Sequence, residues 1–224
     1  DSNTSFLSTE AHTVYQTDID PSLGDTHVRN ILLQSSKRIA DFYVCGGFSS
    51  CLGAIYSRPS LRELVRVCTN VHQLHLSGCP YNAAYYNRYD VGDGLDWHFD
   101  KSSFGVNLVL QAPGSGGAFQ FDHGTRRLPE EHQHARIAAL VQGASAAEAE
   151  TSAGSLVVFA GRESLHRVSR VTARPARINA ILTYEEVPGS RPGPYTLARF
   201  FGRGPDGTRL TATPSKEALG DRGG

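Results

Sequence analysis

The sequence predicts a mainly β protein, with two N-terminal helices laid against a sandwich or barrel of antiparallel sheets. Two observations carry this. From about residue 71 the hydrophobic pattern repeats every second residue, in short runs bounded by Gly, Pro, Asp or Ser. Helical spacing, by contrast, is confined to two stretches before residue 70. A chain of 224 residues suits one domain, and at that size folding removes roughly 70–75% of the exposed surface without staples. Lys and Arg total 22 and Asp and Glu total 22. That balance argues against a broad phosphate-binding face and so against a nucleic-acid partner. No apolar run approaches the ~18 residues that a membrane span needs, and the start, DSNTSFLSTE, lacks a charged segment followed by an apolar one. The four cysteines, at 45, 51, 68 and 79, match no paired zinc spacing. They read as reduced, and a cytoplasmic location is expected.

In order along the chain, residues 1–24 are turn-rich and read as an N-terminal extension. Val28, Ile31, Leu32, Ser35 and Ile39 recur at helical spacing and predict a helix over 25–43, stopped by Gly46 and Gly47. A second helix is predicted near 59–69, with Pro59 in its first turn and Ser57 or Ser60 as cap. Strands are predicted at 71–76, 83–89, 104–111, 118–121, 137–141, 156–159 and 177–184. The run 143–154, small and polar, reads as a surface excursion, and residues 203–224 as a flexible tail behind a single domain of 25–202.

The strongest chemical feature is Trp97-His98-Phe99-Asp100. In a strand, residues two apart share a face, so His98 and Asp100 aim an imidazole and a carboxylate at one point. Leu165-His166-Arg167-Val168, just past the apolar run 156–159 and Gly161, offers a third donor. Two His and one carboxylate on one face of an octahedron leave three positions open. That suits an Fe(II) which must take a bidentate co-substrate and dioxygen, whereas a structural zinc would want four protein ligands. An H-x-D triplet alone carries little weight, because such triplets arise often by chance.

Arg177 opens an apolar strand and by alternation points inward with Asn179, Ile181 and Thr183. An inward guanidinium is costly without an anion, and a dicarboxylate would pair with it bidentately. The other reading pairs Arg177 with Glu185 or Glu186 at the strand end. Trp97 could wall a substrate pocket, although alternation turns it away from His98. Arg126 and Arg127 could bind a substrate carboxylate or be exposed loop arginines, and Thr183 could touch substrate. The pairs His72/His75 and His132/His134 lack a carboxylate pattern and read as surface or sheet residues.

The segment Arg88-Tyr89-Asp-Val-Gly92 to His98-Phe-Asp100 resembles the R-Y-x-x-G-x(5)-H-x-D of Fe(II)/2-oxoglutarate-dependent dioxygenases, prolyl hydroxylases among them. The strand 106–111 with Gly116-Gly117-Ala-Phe-Gln-Phe121, the run Gly154–Phe159, and Gly161-Arg-Glu-Ser-Leu-His166-Arg-Val followed by Arg177 extend the likeness in order over 85–184. The flavour is nearest the small-molecule branch that includes amino-acid hydroxylases and halogenases. This resemblance implies a double-stranded β-helix, a jelly-roll (cupin-like) barrel with helices outside. It implies that His98, Asp100 and His166 hold Fe(II), that Arg177 anchors the distal 2-oxoglutarate carboxylate, and that Tyr89 hydrogen-bonds this co-substrate. With O2, the implied outcome is hydroxylation of a small molecule. Related halogenases carry Gly or Ala where this chain keeps Asp100, and a carboxylate there should exclude halide. The competing expectations are a hydroxylase of protein side chains, a nucleic-acid demethylase, for which the composition lacks a basic footprint, and a non-catalytic ligand- or metal-binding barrel.

Overall fold

The computed structural model describes residues 5–204 and 206–210. In chain order the elements are β1 (Phe6–His12), β2 (Leu33–Ala40), α1 (Cys51–Tyr56), α2 (Pro59–Thr69), β3 (His75–Leu76), β4 (Ala84–Tyr89), β5 (Leu95–His98), β6 (Phe104–Gln111), β7 (Ser115–Gly116), β8 (Phe119–Asp122), α3 (Glu130–Val141), β9 (Ala147–Ala149), β10 (Leu156–Phe159), β11 (Leu165–Val168), β12 (Val171–Ala173), β13 (Arg177–Glu185) and α4 (Pro194–Phe201). One antiparallel sheet runs β1-β2-β4-β13-β6-β10, with β3 also paired to β13, and a second runs β5-β11-β8-β9. Their inner faces meet in a jelly roll. Ile39 and Tyr89 of the first sheet pack with Leu95, Phe119 and Val168 of the second, and Phe200 and Phe201 of α4 complete that cluster.

Each sheet has an outer face covered by helices, as alternation requires when both faces are buried. On the first sheet Ala84, Val106, Ala180, Leu182 and Tyr184 pack with Leu52 and Tyr56 of α1 and Val65 of α2. On the second, Trp97, Phe99 and Leu165 pack with Ile137 and Leu140 of α3. α2 begins as expected, with Pro59 in its first turn, but Arg58 rather than a serine stands at its N-cap. Ser50 caps the shorter α1, accepting from the Gly53 N–H at 3.0 Å.

Two expected elements are different. The helix expected over 25–43 is instead a turn-rich stretch leading into β2, in which Ser35, Lys37 and Ile39 are buried on one face. Pairing with β1 on one side and β4 on the other satisfies its backbone in a way an exposed helix there would not. The strand expected at 137–141 is the end of α3. Glu130 and Glu131 sit favourably at its positive end, and Gln133, Ile137 and Leu140 share its buried stripe. β1 comes from the stretch read as an N-terminal extension and pairs with β2 along its whole length. The 143–154 run carries β9 on the edge of β8. Most of the tail expected at 203–224 lies outside the described residues. All four cysteines are free. No helix among the described residues is long and apolar enough to cross a membrane.

Candidate metal centre

β5 and β11 bring the two histidines together. His98 lies directly across from His166, but Leu95 lies across from Val168, so β5 holds one more residue than β11 over this interval. Such a bulge resets the alternation. Leu95 and His98 both face the barrel interior, while Trp97 and Phe99 face α3. The Trp97 N–H, freed from the ladder, donates to Asp96 Oδ1 at 2.8 Å.

The imidazoles stand with ring centroids 4.2 Å apart. His98 Nδ1 donates to the Asp96 carbonyl at 2.7 Å and His166 Nδ1 to the Ser164 carbonyl at 2.9 Å. A carbonyl can only accept, so in each neutral ring Nδ1 carries the proton and Nε2 presents its lone pair. Those lone pairs converge on Asp100, whose Oδ1 is 3.4 Å from His98 Nε2 and whose Oδ2 is 3.6 Å from His166 Nε2. Among the described residues these three side chains form the group whose donor atoms could hold a metal, all within 4.8 Å of one another. Burial, with His166 nearby, draws His98 down to about 4, so it is neutral at pH 7. Burial opposes ionisation of Asp100, but the attraction of the His166 and His98 rings when they carry a second proton outweighs it and holds the carboxyl below the usual carboxylate range. A neutral His98 and an ionised Asp100 are protonation states a metal requires.

Asp100 is positioned by backbone. Its N–H donates to the Gly161 carbonyl at 2.9 Å, and a Cβ on Gly161 would run into the Asp100 carboxylate. The turn that follows is tied to β13: the Ser103 N–H and hydroxyl donate to Glu185 Oε2 at 3.1 and 3.0 Å, and Arg162 donates to the same oxygen at 3.3 Å. Glu185 is therefore occupied by Arg162 and Ser103, eight residues along the strand from Arg177.

Arg177 is wholly buried. Its Nη1 donates to Thr151 Oγ1 at 3.3 Å, while Nε and Nη2 have no hydrogen-bond partner. Buried guanidinium N–H groups without acceptors are expensive, and a carboxylate is the anion that matches their fork. Tyr89 lies opposite Arg177 across β4 and β13 and is equally buried. Burial pushes its phenol above the ordinary value despite Arg177 beside it, so the hydroxyl stays protonated and can donate. The donor set and the orphaned guanidinium together fit Fe(II) with 2-oxoglutarate.

The expected substrate residues divide. Thr183 is buried facing the same cleft as His98 and Asp100, its hydroxyl donating to the Asn82 carbonyl at 2.7 Å. Trp97 and Arg126 lie on the other side of β5. Trp97 is in the α3-facing core with Arg167 over its ring at 4.7 Å, and the Arg126 guanidinium sits 4.4 Å from the Phe99 ring centroid. Alternation along β5 carries Trp97 away from the donors, and Arg126 lies in the turn after β8 on that same outer side. His75 pairs with Glu185 across β3 and β13, and His134 meets His27 at 5.1 Å, so neither histidine pair forms a second centre. Sequence reasoning missed Lys37, Gln16 and Thr151. Lys37 and Gln16 line the cleft at the metal donors. Lys37 was hidden because its strand reads as a helix, and Thr151 because its run is small and polar.

The comparisons agree with this geometry. The family model described as Halogenase D matches residues 34–188. Among solved structures, AviO1 from Streptomyces viridochromogenes Tue57 is 15% identical with a TM-score of 0.54, covering 81% of this chain and 76% of that one. The non-heme alpha-ketoglutarate-dependent epimerase SnoN from nogalamycin biosynthesis is 14% identical with a TM-score of 0.54, covering 82% and 76%. A 2OG-Fe(II) oxygenase family protein from Burkholderia pseudomallei is 11% identical with a TM-score of 0.50, covering 81% and 72%. At these identities the structures show a shared fold. No curated protein matches the sequence. The chain belongs to the Halogenase D family, whose model spans more than half of it.

Proposed function

We propose that this protein hydroxylates an unactivated C–H bond of a small molecule, such as an amino acid or natural-product intermediate, while 2-oxoglutarate and O2 become succinate and CO2. The observation that carries this reading is the pairing of a His98–Asp100–His166 donor set with a buried guanidinium, Arg177, that has two N–H groups to spare. Fe(II) bound there would supply the activation of O2 that carbon hydroxylation requires.

The chain's own residues do the rest. His98 and His166 present Nε2 because the Asp96 and Ser164 carbonyls hold their Nδ1 protons. Arg177 and the Tyr89 hydroxyl orient the co-substrate, the guanidinium by pairing with its distal carboxylate and the phenol by donating a hydrogen bond. Phe119 and Phe159 pack against the His166 ring at 5.6 and 5.1 Å and keep bulk water off that side. Asp100 decides between reaction types. With a metal bound, its carboxylate would take a position that a halide would need, which favours hydroxylation over the halogenation that the family's description names.

The test is succinate release from purified protein with Fe(II) and 2-oxoglutarate, followed by product mass in the presence of chloride. Succinate release that disappears in His166→Ala supports the reading, as does a product heavier by one oxygen. No turnover together with unchanged iron affinity in His166→Ala overturns it, and a chlorinated product overturns the reaction type.

A further inference from the structure

β5 is the outermost strand of the second sheet, next to β11. Its other edge is turned toward β1 and β2. There Gly94 exchanges backbone hydrogen bonds with Ser36 at 2.8 and 3.1 Å, and the Phe99 N–H donates to the Val14 carbonyl at 2.8 Å. Between these anchors lies the bulge, where neither Asp96 nor Trp97 has a register partner on β11. A side chain takes the place of a strand at this point: the Asp96 N–H donates to Ser35 Oγ at 2.9 Å.

Ser35 is itself held. Its Oγ lies 2.7 Å from His12 Nε2, and His12 Nδ1 lies 3.0 Å from the Thr13 carbonyl. His12 is fully buried, and burial draws it below its ordinary value, so the ring is neutral. A carbonyl can only accept, so Nδ1 carries the one ring proton and Nε2 accepts from the Ser35 hydroxyl. With that hydroxyl proton committed, Ser35 Oγ turns its lone pairs to the Asp96 N–H. Asp96 also holds the metal ligand, because its carbonyl accepts from His98 Nδ1 at 2.7 Å. Every donor in this run, from His98 through Asp96 and Ser35 to His12, points the same way, an arrangement in which each hydrogen bond polarises the next. The His12 ring also meets the His98 ring edge-on, with centroids 6.1 Å apart. Buried polar side chains are costly unless fully satisfied, and this pair is satisfied only while the bulge keeps its shape.

We propose that His12 and Ser35 are positioning residues for the metal centre: they pin Asp96 in the β5 bulge and so fix the direction in which His98 presents Nε2. This rests on the metal reading of the His98–Asp100–His166 set and adds to it a pair from strands that contribute no ligand.

The experiment titrates the full chain with Co(II), reading both affinity and the visible ligand-field spectrum, with a urea midpoint for each variant. Ser35→Ala should bind Co(II) about 10- to 100-fold more weakly, the cost expected when a ligand's support is disturbed, and its spectrum should shift. Ser35→Thr, which keeps the hydroxyl, should recover most of the affinity and the wild-type spectrum. Ser8→Ala is the control. Ser8 is also buried, lies on β1 and donates to the Arg199 carbonyl at 3.1 Å, so its loss should lower the urea midpoint and leave Co(II) affinity and spectrum as in wild type. Should Ser35→Ala fail to fold, His12→Gln against His12→Leu decides, since only the first keeps an acceptor for the Ser35 hydroxyl and should hold Co(II) more tightly. Wild-type affinity and spectrum in Ser35→Ala overturn the proposal, as does a Ser8→Ala variant that loses as much affinity, or a pair of His12 variants that bind alike. If His166→Ala loses Co(II) while Ser35→Ala matches wild type, this inference alone fails. If His166→Ala binds as well as wild type, the metal reading fails and takes this inference with it.

Discussion

The two faces of the β5–β11 pair contain the same backbone and opposite chemistry. On the inner face His98 and His166 stand beside Asp100, and Arg177 lies in the same barrel with its Nε and Nη2 unpaired. On the outer face Trp97, Phe99 and Leu165 meet Ile137 and Leu140 of α3 in a closed apolar core. One face leaves polar groups unsatisfied, and the other is stabilised by burial. The contrast teaches that the site's unpaired polar groups can persist because the face behind it, one residue away along each strand, is packed well enough to hold the geometry.

Substitutions on either face can break this division. The largest effect belongs to the inner face: Asp100→Ala or His166→Ala should reduce succinate release by more than about 100-fold, since removing a ligand exceeds the 10- to 100-fold cost of disturbing its support. Next, Arg177→Met should weaken 2-oxoglutarate binding by about 30-fold or more, read by anaerobic titration, because it removes one partner of a buried charge pair. Gly161→Ala should lower iron affinity by roughly 10- to 100-fold, because the new methyl meets the Asp100 carboxylate. An iron affinity equal to wild type would show that the strand end yields.

The outer face should respond in the opposite sense. Ile137→Ala should cost about 2–5 kcal/mol in denaturant unfolding, while the folded variant binds iron and 2-oxoglutarate within about 2-fold of wild type. A large loss of iron affinity there would show that the two faces are coupled. The gentlest test is pH. His98 is drawn down to about 4 in the folded protein, whereas an unfolded His titrates near ~6.5. The unfolded state therefore takes up that proton first, and the metal-free protein should lose stability as pH falls from about 6.5 to about 4, with Asp100, held below the usual carboxylate range, extending the loss to lower pH. A urea midpoint that stays flat across that window would contradict a neutral, buried His98.

Much of the inner face was legible in the chain. His98 and Asp100 stand two apart in an alternating run, His166 follows the next apolar strand, and Arg177 opens an apolar strand where a charge has no ordinary reason to be. Strands β6 and β10 were read at their observed bounds. The misreadings have one cause, which is that short apolar runs fit either period. Val28, Ile31, Leu32, Ser35 and Ile39 match a helix on paper, yet pairing with β1 and β4 makes 33–40 a strand. With that strand misread, Lys37 could not be placed. Ile137 and Leu140 were read at period two, although Gln133 before them extends the buried helical stripe by a turn.

The sequence by itself determined the kinds of donor atoms, their order and their separation along the chain, because side-chain chemistry and local alternation are local properties. The tertiary structure decided what those donors face. The extra residue in β5 turns both Leu95 and His98 inward, the pairing of β5 with β11 sets His98 beside His166, and burial leaves Arg177 Nε and Nη2 without acceptors. Register, bulges and desolvation arise from contacts between segments far apart in sequence, so no window along the chain contains them.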